Sequence, residues 1–180
     1  MKRLTLLRHA KSDWDDPVAR DFDRPLNARG KKAARLIGQF ARDRKMMFDH
    51  LVASPAVRVR ETLDTFFDGY GTTLEPQWDR RIYLAAAPTL FDVIRELPEK
   101  VENALIAGHN PGLEELVLDL VPPEGGCPLR EDVEAKFPTA SLLVMDLAID
   151  RWADAKEGVA SLVSFTRPRD LDPALGPESR

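Results

Sequence analysis

Leu4-Thr5-Leu6-Leu7-Arg8-His9 passes without interruption from an apolar run to a paired arginine and histidine. A run this short reads as a buried strand over residues 3–7 rather than a helix. The exposed turn after such a strand is where an α/β protein places its chemistry. An arginine there offers a planar, permanently charged fork that fits a phosphate or a carboxylate. A histidine can serve as a neutral nucleophile or general base near pH 7. Side by side, the two point to attack on phosphorus.

Working outward, the same pattern of strand followed by polar junction recurs. Leu51-Val52-Ala53 runs into Ser54-Pro55, where serine can cap a helix and proline suits its first turn. Ala104-Leu105-Ile106-Ala107 ends at Gly108-His109. Helical period separates these strands. Asn27 stands as an N-cap before Ala33, Leu36, Ile37, Phe40 and Ala41, which share one face. Ala87-Pro88 opens a second amphipathic run, and residues 113–120 form a third. Residues 140–147 and 160–165 resume as strands, with a turn or short helix around Trp152 between them. Such alternation predicts an α/β fold of three layers, with a mostly parallel central sheet flanked by helices. Residues 1–170 are expected to form a single domain, and residues 171–180, poor in apolar anchors, a mobile tail.

Composition narrows the function classes. A chain of 180 residues, 43% hydrophobic, can bury one substantial core. Its formal net charge of -4 gives no whole-chain attraction to nucleic acid or to an anionic membrane, so neither is expected as a partner. Any positive field must come from a local cluster, which suits a small anionic group better than a polyanion. The single cysteine, Cys127, has no second cysteine in the chain to pair with, and no cysteine stands near the histidines at zinc-site spacing. No metal and no other cofactor is implied. The apolar run after Met1-Lys2-Arg3 is too short for a secretion signal and no stretch approaches membrane-spanning length, so a cytoplasmic location is expected.

The three junctions carry Arg8-His9, Ser54-Pro55-Ala56-Val57-Arg58 and Gly108-His109-Asn110-Pro111-Gly112. Carboxyl ends of parallel strands share one sheet edge, so two histidines and two arginines can meet in one crevice. That set meets the needs of phosphoryl transfer, in which charge spreads over three equatorial oxygens. Arg8 and Arg58 would clamp those oxygens. One histidine would attack phosphorus and hold a phosphohistidine, while the other, protonated, would hydrogen-bond an equatorial oxygen.

These residues resemble a known family. Leu7-Arg8-His9-Ala10-Lys11-Ser12 is similar to the opening motif of the histidine phosphatase superfamily, in its Arg-His-Ala form, and Ser54-Pro55-x-x-Arg58-x-x-x-Thr62 to its second motif. Arg24-Pro25-Leu26-Asn27-x-x-Gly30, Gly108-His109-Asn110-Pro111-Gly112, Phe137-Pro138-Thr139-Ala140 and Arg167-Pro168-Arg169 resemble the small SixA-like phosphohistidine phosphatase branch. The resemblance implies a phosphoglycerate-mutase-like fold and a metal-independent phosphatase with His9 as nucleophile. It implies Arg8 and Arg58 as phosphate ligands, His109 as the second histidine and Ser12 as an auxiliary phosphate donor. It further implies, as substrate and partner, a phosphohistidine protein of a phosphorelay or phosphotransfer system.

One departure is informative. Many larger members of the superfamily supply a carboxylic acid after the third strand or directly after the second histidine, whereas His109 is followed here by Asn110. Asp13, Asp15 and Asp79 are the candidate acids, with Asp16, Asp21 and Asp23 as further acidic residues that could take the role. An alkoxide needs a proton in order to leave. A phosphorylated imidazole can carry one on its other nitrogen beforehand and depart neutral. The missing acid therefore favours protein phosphohistidine over the alternative substrates, small phosphomonoesters such as a sugar phosphate or nucleotide. A non-catalytic phosphoprotein-binding module is the rival of another class, but binding alone requires no nucleophile.

Several residues have plainer expectations. Ser54 reads as a helix N-cap, Thr62 as a local hydrogen-bonding or packing residue, Arg60 as a surface charge and His50 as a surface or structural histidine. Trp14, inside the acidic loop of residues 10–27, is expected to anchor that loop, the alternative being contact with a protein substrate.

Overall fold

The computed structural model describes residues 1–15 and 20–177, so Asp16 and the last three residues of the expected tail lie outside the described residues. Six strands form one mixed sheet in the order β3-β2-β4-β1-β5-β6. β1 (Lys2–Arg8), β2 (His50–Ala53), β3 (Gln77–Trp78) and β4 (Asn103–Gly108) run parallel. β5 (Leu142–Leu147) and β6 (Ala160–Thr166) add an antiparallel edge beside β1. The sheet is thus parallel over the half that carries the three junctions and antiparallel beyond it. No helix among the described residues is long and apolar enough to cross a membrane.

Strand periodicity sorts the core into two faces. Leu4 and Leu6 of β1, with Ala104 and Ile106 of β4, pack under α3 (Ala87–Arg95), α4 (Gly112–Leu120) and α5 (Pro128–Ala135). Leu7, Leu105 and Ala107 point the other way, onto α1 (Ala28–Asp43) and α2 (Val57–Tyr70). Both faces are covered, as a sheet interior of near-continuous apolar strands requires. α1 and α2 meet closely because each carries a glycine at the contact. A Cβ on Gly38 would stand 2.0 Å from the Phe66 carbonyl oxygen, and one on Gly69 2.2 Å from that of Arg35.

Local expectations are met at the start of α1, where the Asn27 side chain accepts from the Gly30 amide at 2.7 Å. Others need correction. Ser54 does not cap α2, whose N-cap is Ala56 without a side-chain bond. Residues 128–135, for which the sequence carried no assignment, form α5. Residues 171–177 have anchors that their composition conceals. After a short helix, α6 (Pro168–Leu171), Lys32 pairs with Asp172 at 3.4 Å, Arg29 donates to the Gly176 carbonyl, and Leu175 packs against the small cluster of Ala10, Leu26, Ala33, Ala34 and Ala140.

Candidate active site

β2, β4 and β1 are adjacent and parallel, so their carboxyl ends bring three separate junctions to one edge. The His9 amide donates to the Gly108 carbonyl at 3.0 Å, and the Ser54 amide to that of Ala107 at 3.1 Å. The loop before β5 closes the fourth side. Ala140, with φ 60°, donates its amide to the carbonyls of both Arg8 and His9. A non-glycine residue in the left-handed region is held there by its surroundings, here by those two bonds and complete burial. The resulting pocket, of about 530 Å³, is lined by Arg8, His9, Ser12, Arg58 and His109 among others.

The two histidine rings lie 5.3 Å apart, centre to centre, and both are buried. His9 Nδ1 sits 2.8 Å from the Ala10 carbonyl oxygen. A carbonyl can only accept, so Nδ1 carries the proton and Nε2 keeps its lone pair. His109 Nδ1 faces Arg58 Nη2 at 3.3 Å, and its Nε2 lies 2.8 Å from Ser54 Oγ. Because the guanidinium can only donate, the His109 proton is on Nε2 and goes to Ser54. Burial pushes His9 down to about 3, and the charges of Arg8 and Arg58 act in the same direction against the Ala10 carbonyl. Burial, with the nearby Arg58 charge, likewise takes His109 to about 3. Both rings are therefore neutral at physiological pH.

The arginines hold donors in reserve. Arg8 Nη1 donates to the Phe137 carbonyl at 2.8 Å, and Arg58 Nη1 to that of Asp21 at 2.7 Å. The Nε of each is buried without a hydrogen-bond partner. An unsatisfied buried N–H is costly unless a ligand meets it. Thr62 ties the machinery together, donating to the Arg58 carbonyl at 2.6 Å and accepting from the Ala10 amide at 2.9 Å.

Ser12 lines the pocket, its Oγ accepting from Arg24 Nη1 at 2.5 Å, which leaves its own proton free to donate. Asp13, Asp15 and Asp79 do not line the pocket. Asp13 accepts from the Asp15 amide, and Asp79 is engaged by Arg81 at 2.8 Å. Among the described residues, the carboxylate that does reach the pocket is Asp21, which sequence reasoning left among several. It accepts from Arg58 Nη2 at 3.1 Å, from Arg24 Nη2 at 3.0 Å and from the Tyr83 hydroxyl. Burial opposes ionisation of Asp21, but donation by Tyr83 and Arg24 and the charge of Arg58 prevail and hold it at about 2. Trp14 is not a core anchor, being 73% exposed with the Arg24 guanidinium 3.5 Å from its ring centre. Among the described residues no group of three or more His, Cys, Asp or Glu side chains is placed to hold a metal ion.

A family model described as histidine phosphatase superfamily (branch 1) matches residues 4–83. Rv1276c of Mycobacterium tuberculosis, an uncharacterized protein, is 35% identical over 164 residues, covering 91% of this chain and all of that one. The chain belongs to the histidine phosphatase superfamily. Among solved structures of histidine phosphatases, one from Agrobacterium tumefaciens, provisionally described as phosphohistidine phosphatase SixA, superposes with a TM-score of 0.77 and 29% identity. That match covers 93% of this chain and 98% of that one. Another from Nakamurella multipartitia, under the same provisional description, gives a TM-score of 0.80 and 25% identity over 93% of this chain and 96% of the other. The phosphoglycerate-mutase-like architecture expected for this histidine phosphatase is therefore shared along nearly its whole length.

Proposed function

We propose that this chain dephosphorylates phosphohistidine on a protein, through a covalent phosphoryl group on His9. The observation that carries this is the His9 tautomer. The bond from Nδ1–H to the Ala10 carbonyl leaves Nε2 unprotonated, on a ring that lines the same pocket as Arg8 and Arg58. In the first step Nε2 bonds to phosphorus while the substrate's P–N bond breaks. The leaving imidazole, already protonated on its other nitrogen, departs neutral. In the second step water attacks phosphorus, passing its proton to the phosphate, and His9 leaves as the neutral ring with its proton still on Nδ1. Both steps expel an imidazole of the same kind, and neither needs a carboxylic acid.

The electrostatics of the pocket support the choice of substrate. Its carboxylate, Asp21, is ionised and fully engaged by donors, which suits an anchor for Arg58 rather than a proton donor to an alkoxide. Arg8 and Arg58 would bind the equatorial oxygens, with Ser12 as a further donor. A phosphoryl dianion opposes the burial and arginine charges that keep His109 neutral, so His109 would take a second proton on Nδ1, give up the bond from Arg58 Nη2 there and present that proton to an oxygen. The SixA descriptions of two similar structures agree with this substrate class.

Acid-quench trapping with a labelled phosphohistidine protein tests the proposal. An acid-labile label on the wild-type chain, absent in His9→Ala, is expected, along with faster turnover of phosphohistidine and phosphoramidate than of sugar phosphates. Tight binding without label or turnover would overturn catalysis. A large preference for a sugar phosphate would overturn the substrate class.

A further inference from the structure

Among the described residues that line the pocket, cationic side chains outnumber carboxylates by eight to one, in a chain whose formal net charge is -4. Some of that positive charge is already matched. Asp21 pairs with Arg24 and Arg58, and Asp170 with Arg167 at 2.9 Å. Arg8 and Arg58 are committed to the phosphoryl group. Lys11 has a partner of its own, which leaves Arg29, Lys136 and Arg169, and among the described residues none of these three has a carboxylate within ion-pair distance. Arg29 donates to the Gly176 carbonyl, which leaves its charge unmatched, and the nearby carboxylates are engaged elsewhere. Asp172 feels Arg29 but bonds Lys32, and Asp170 feels Arg169 but is held by Arg167 through both carboxylate oxygens. Three like charges converge on the mouth of one pocket, from α1, from the end of α5 and from α6.

The pocket is also larger than its chemistry. About 530 Å³ lies in the range of sites that enclose a whole small ligand, so the substrate fills it with more than a phosphoryl group. Two exposed apolar side chains stand on its lining beside the cations, Trp14 at 73% and Leu84 at 57% exposure. Cations interleaved with exposed apolar surface fit a protein segment better than a bisphosphorylated small molecule, which has little apolar surface to offer.

Resting on the phosphohistidine reading, we infer that Arg29, Lys136 and Arg169 form a second anion subsite that binds an acidic residue flanking the phosphorylated histidine of a protein substrate. Partly exposed charges of this kind act mainly on encounter and affinity, so the subsite selects among phosphoproteins without taking part in phosphoryl transfer. The chemistry of the subsite is recognition of a second anionic group, and the source of that group is a carboxylate.

The test uses the full chain and a phosphohistidine protein domain prepared in two forms, one with Asp or Glu beside the phosphosite and one with the matching amides. Wild-type kcat/KM is expected to favour the acidic form about tenfold, chiefly through KM, with a steeper fall as salt is raised. In Lys136→Glu with Arg169→Glu the preference should fall to near one, and a substrate with lysines at the flank should regain rate. Equal rates on the two forms with the wild-type chain, while phosphoramidate is still hydrolysed, would overturn the subsite and leave the phosphatase proposal standing. Absence of phosphoramidate turnover and of label on His9 would overturn both. A small bisphosphate as third substrate separates the sources of the anion. Loss of preference for it alone in the reversed variant would assign the subsite to a second phosphate and overturn the carboxylate.

Discussion

Acidification should weaken this fold through its two pocket histidines. Both are neutral in the folded chain and held down to about 3, against about 6.5 in an unfolded one. Between those values the unfolded chain binds more protons, so stability rises with pH; the contribution is complete above about 6.5 and is lost as pH falls toward 3. From pH 7.5 to pH 5 each ring loses about 2 kcal/mol of stabilisation, or about 4 kcal/mol for the pair. His9 and His109 are only 8% and 3% exposed, so solvent does little to soften the effect. Asp21, held at about 2, does not titrate in this interval. Urea unfolding at the two pH values, in wild type and in a variant carrying His9→Asn and His109→Gln, isolates the contribution. The wild type should lose about 4 kcal/mol more than the variant, each compared with itself at pH 7.5 so that any baseline cost cancels. Equal losses in the two proteins would refute the claim that the rings are buried neutral.

Three substitutions probe the supports of the site. Ser54→Ala removes the buried acceptor of the His109 Nε2 proton, 2.8 Å away, and should lower kcat about tenfold with little change in KM; steady-state kinetics showing an unaltered kcat would exclude that role. Thr62→Val keeps the shape but strands the buried Ala10 amide, so urea melts should show a loss of about 1–3 kcal/mol. Gly30→Ala places a Cβ 2.2 Å from the Lys11 carbonyl oxygen, which forces the segment carrying Ser12 away from α1. Destabilisation by about 1–3 kcal/mol is expected, together with weaker phosphate binding by calorimetry.

The elements of the parallel half were legible in the sequence because each announces itself locally. Alternating faces are written into Leu4, Leu6 and Leu7, and the Asn27 cap needs only its own neighbours. The antiparallel edge was less visible, since strand direction depends on pairing partners and not on the composition of residues 142–147. Ser54 shows the limit well. Serine before proline is a good local signal for a cap, but the hydroxyl is taken by His109, fifty-five positions away in the chain. Trp14 was misleading: a large aromatic suggested an anchor and lies in solvent over Arg24. The contacts of Asp172 and Gly176 with α1 have no local sequence signal.

By itself the sequence determined which chemistry is possible. Arg8, His9, Arg58 and His109 follow strands or open helices, and their side-chain types suffice to point to phosphoryl transfer. Only the tertiary structure decided how that chemistry is tuned. The parallel order β2-β4-β1 sets the two rings 5.3 Å apart, and bonds to Ala10 and Ser54 choose their tautomers. Of the four described aspartates in one loop, folding turned Asp21 toward Arg24 and Arg58. Proton position and local field depend on burial and on neighbours remote in the chain, and those exist only once the sheet edge has assembled.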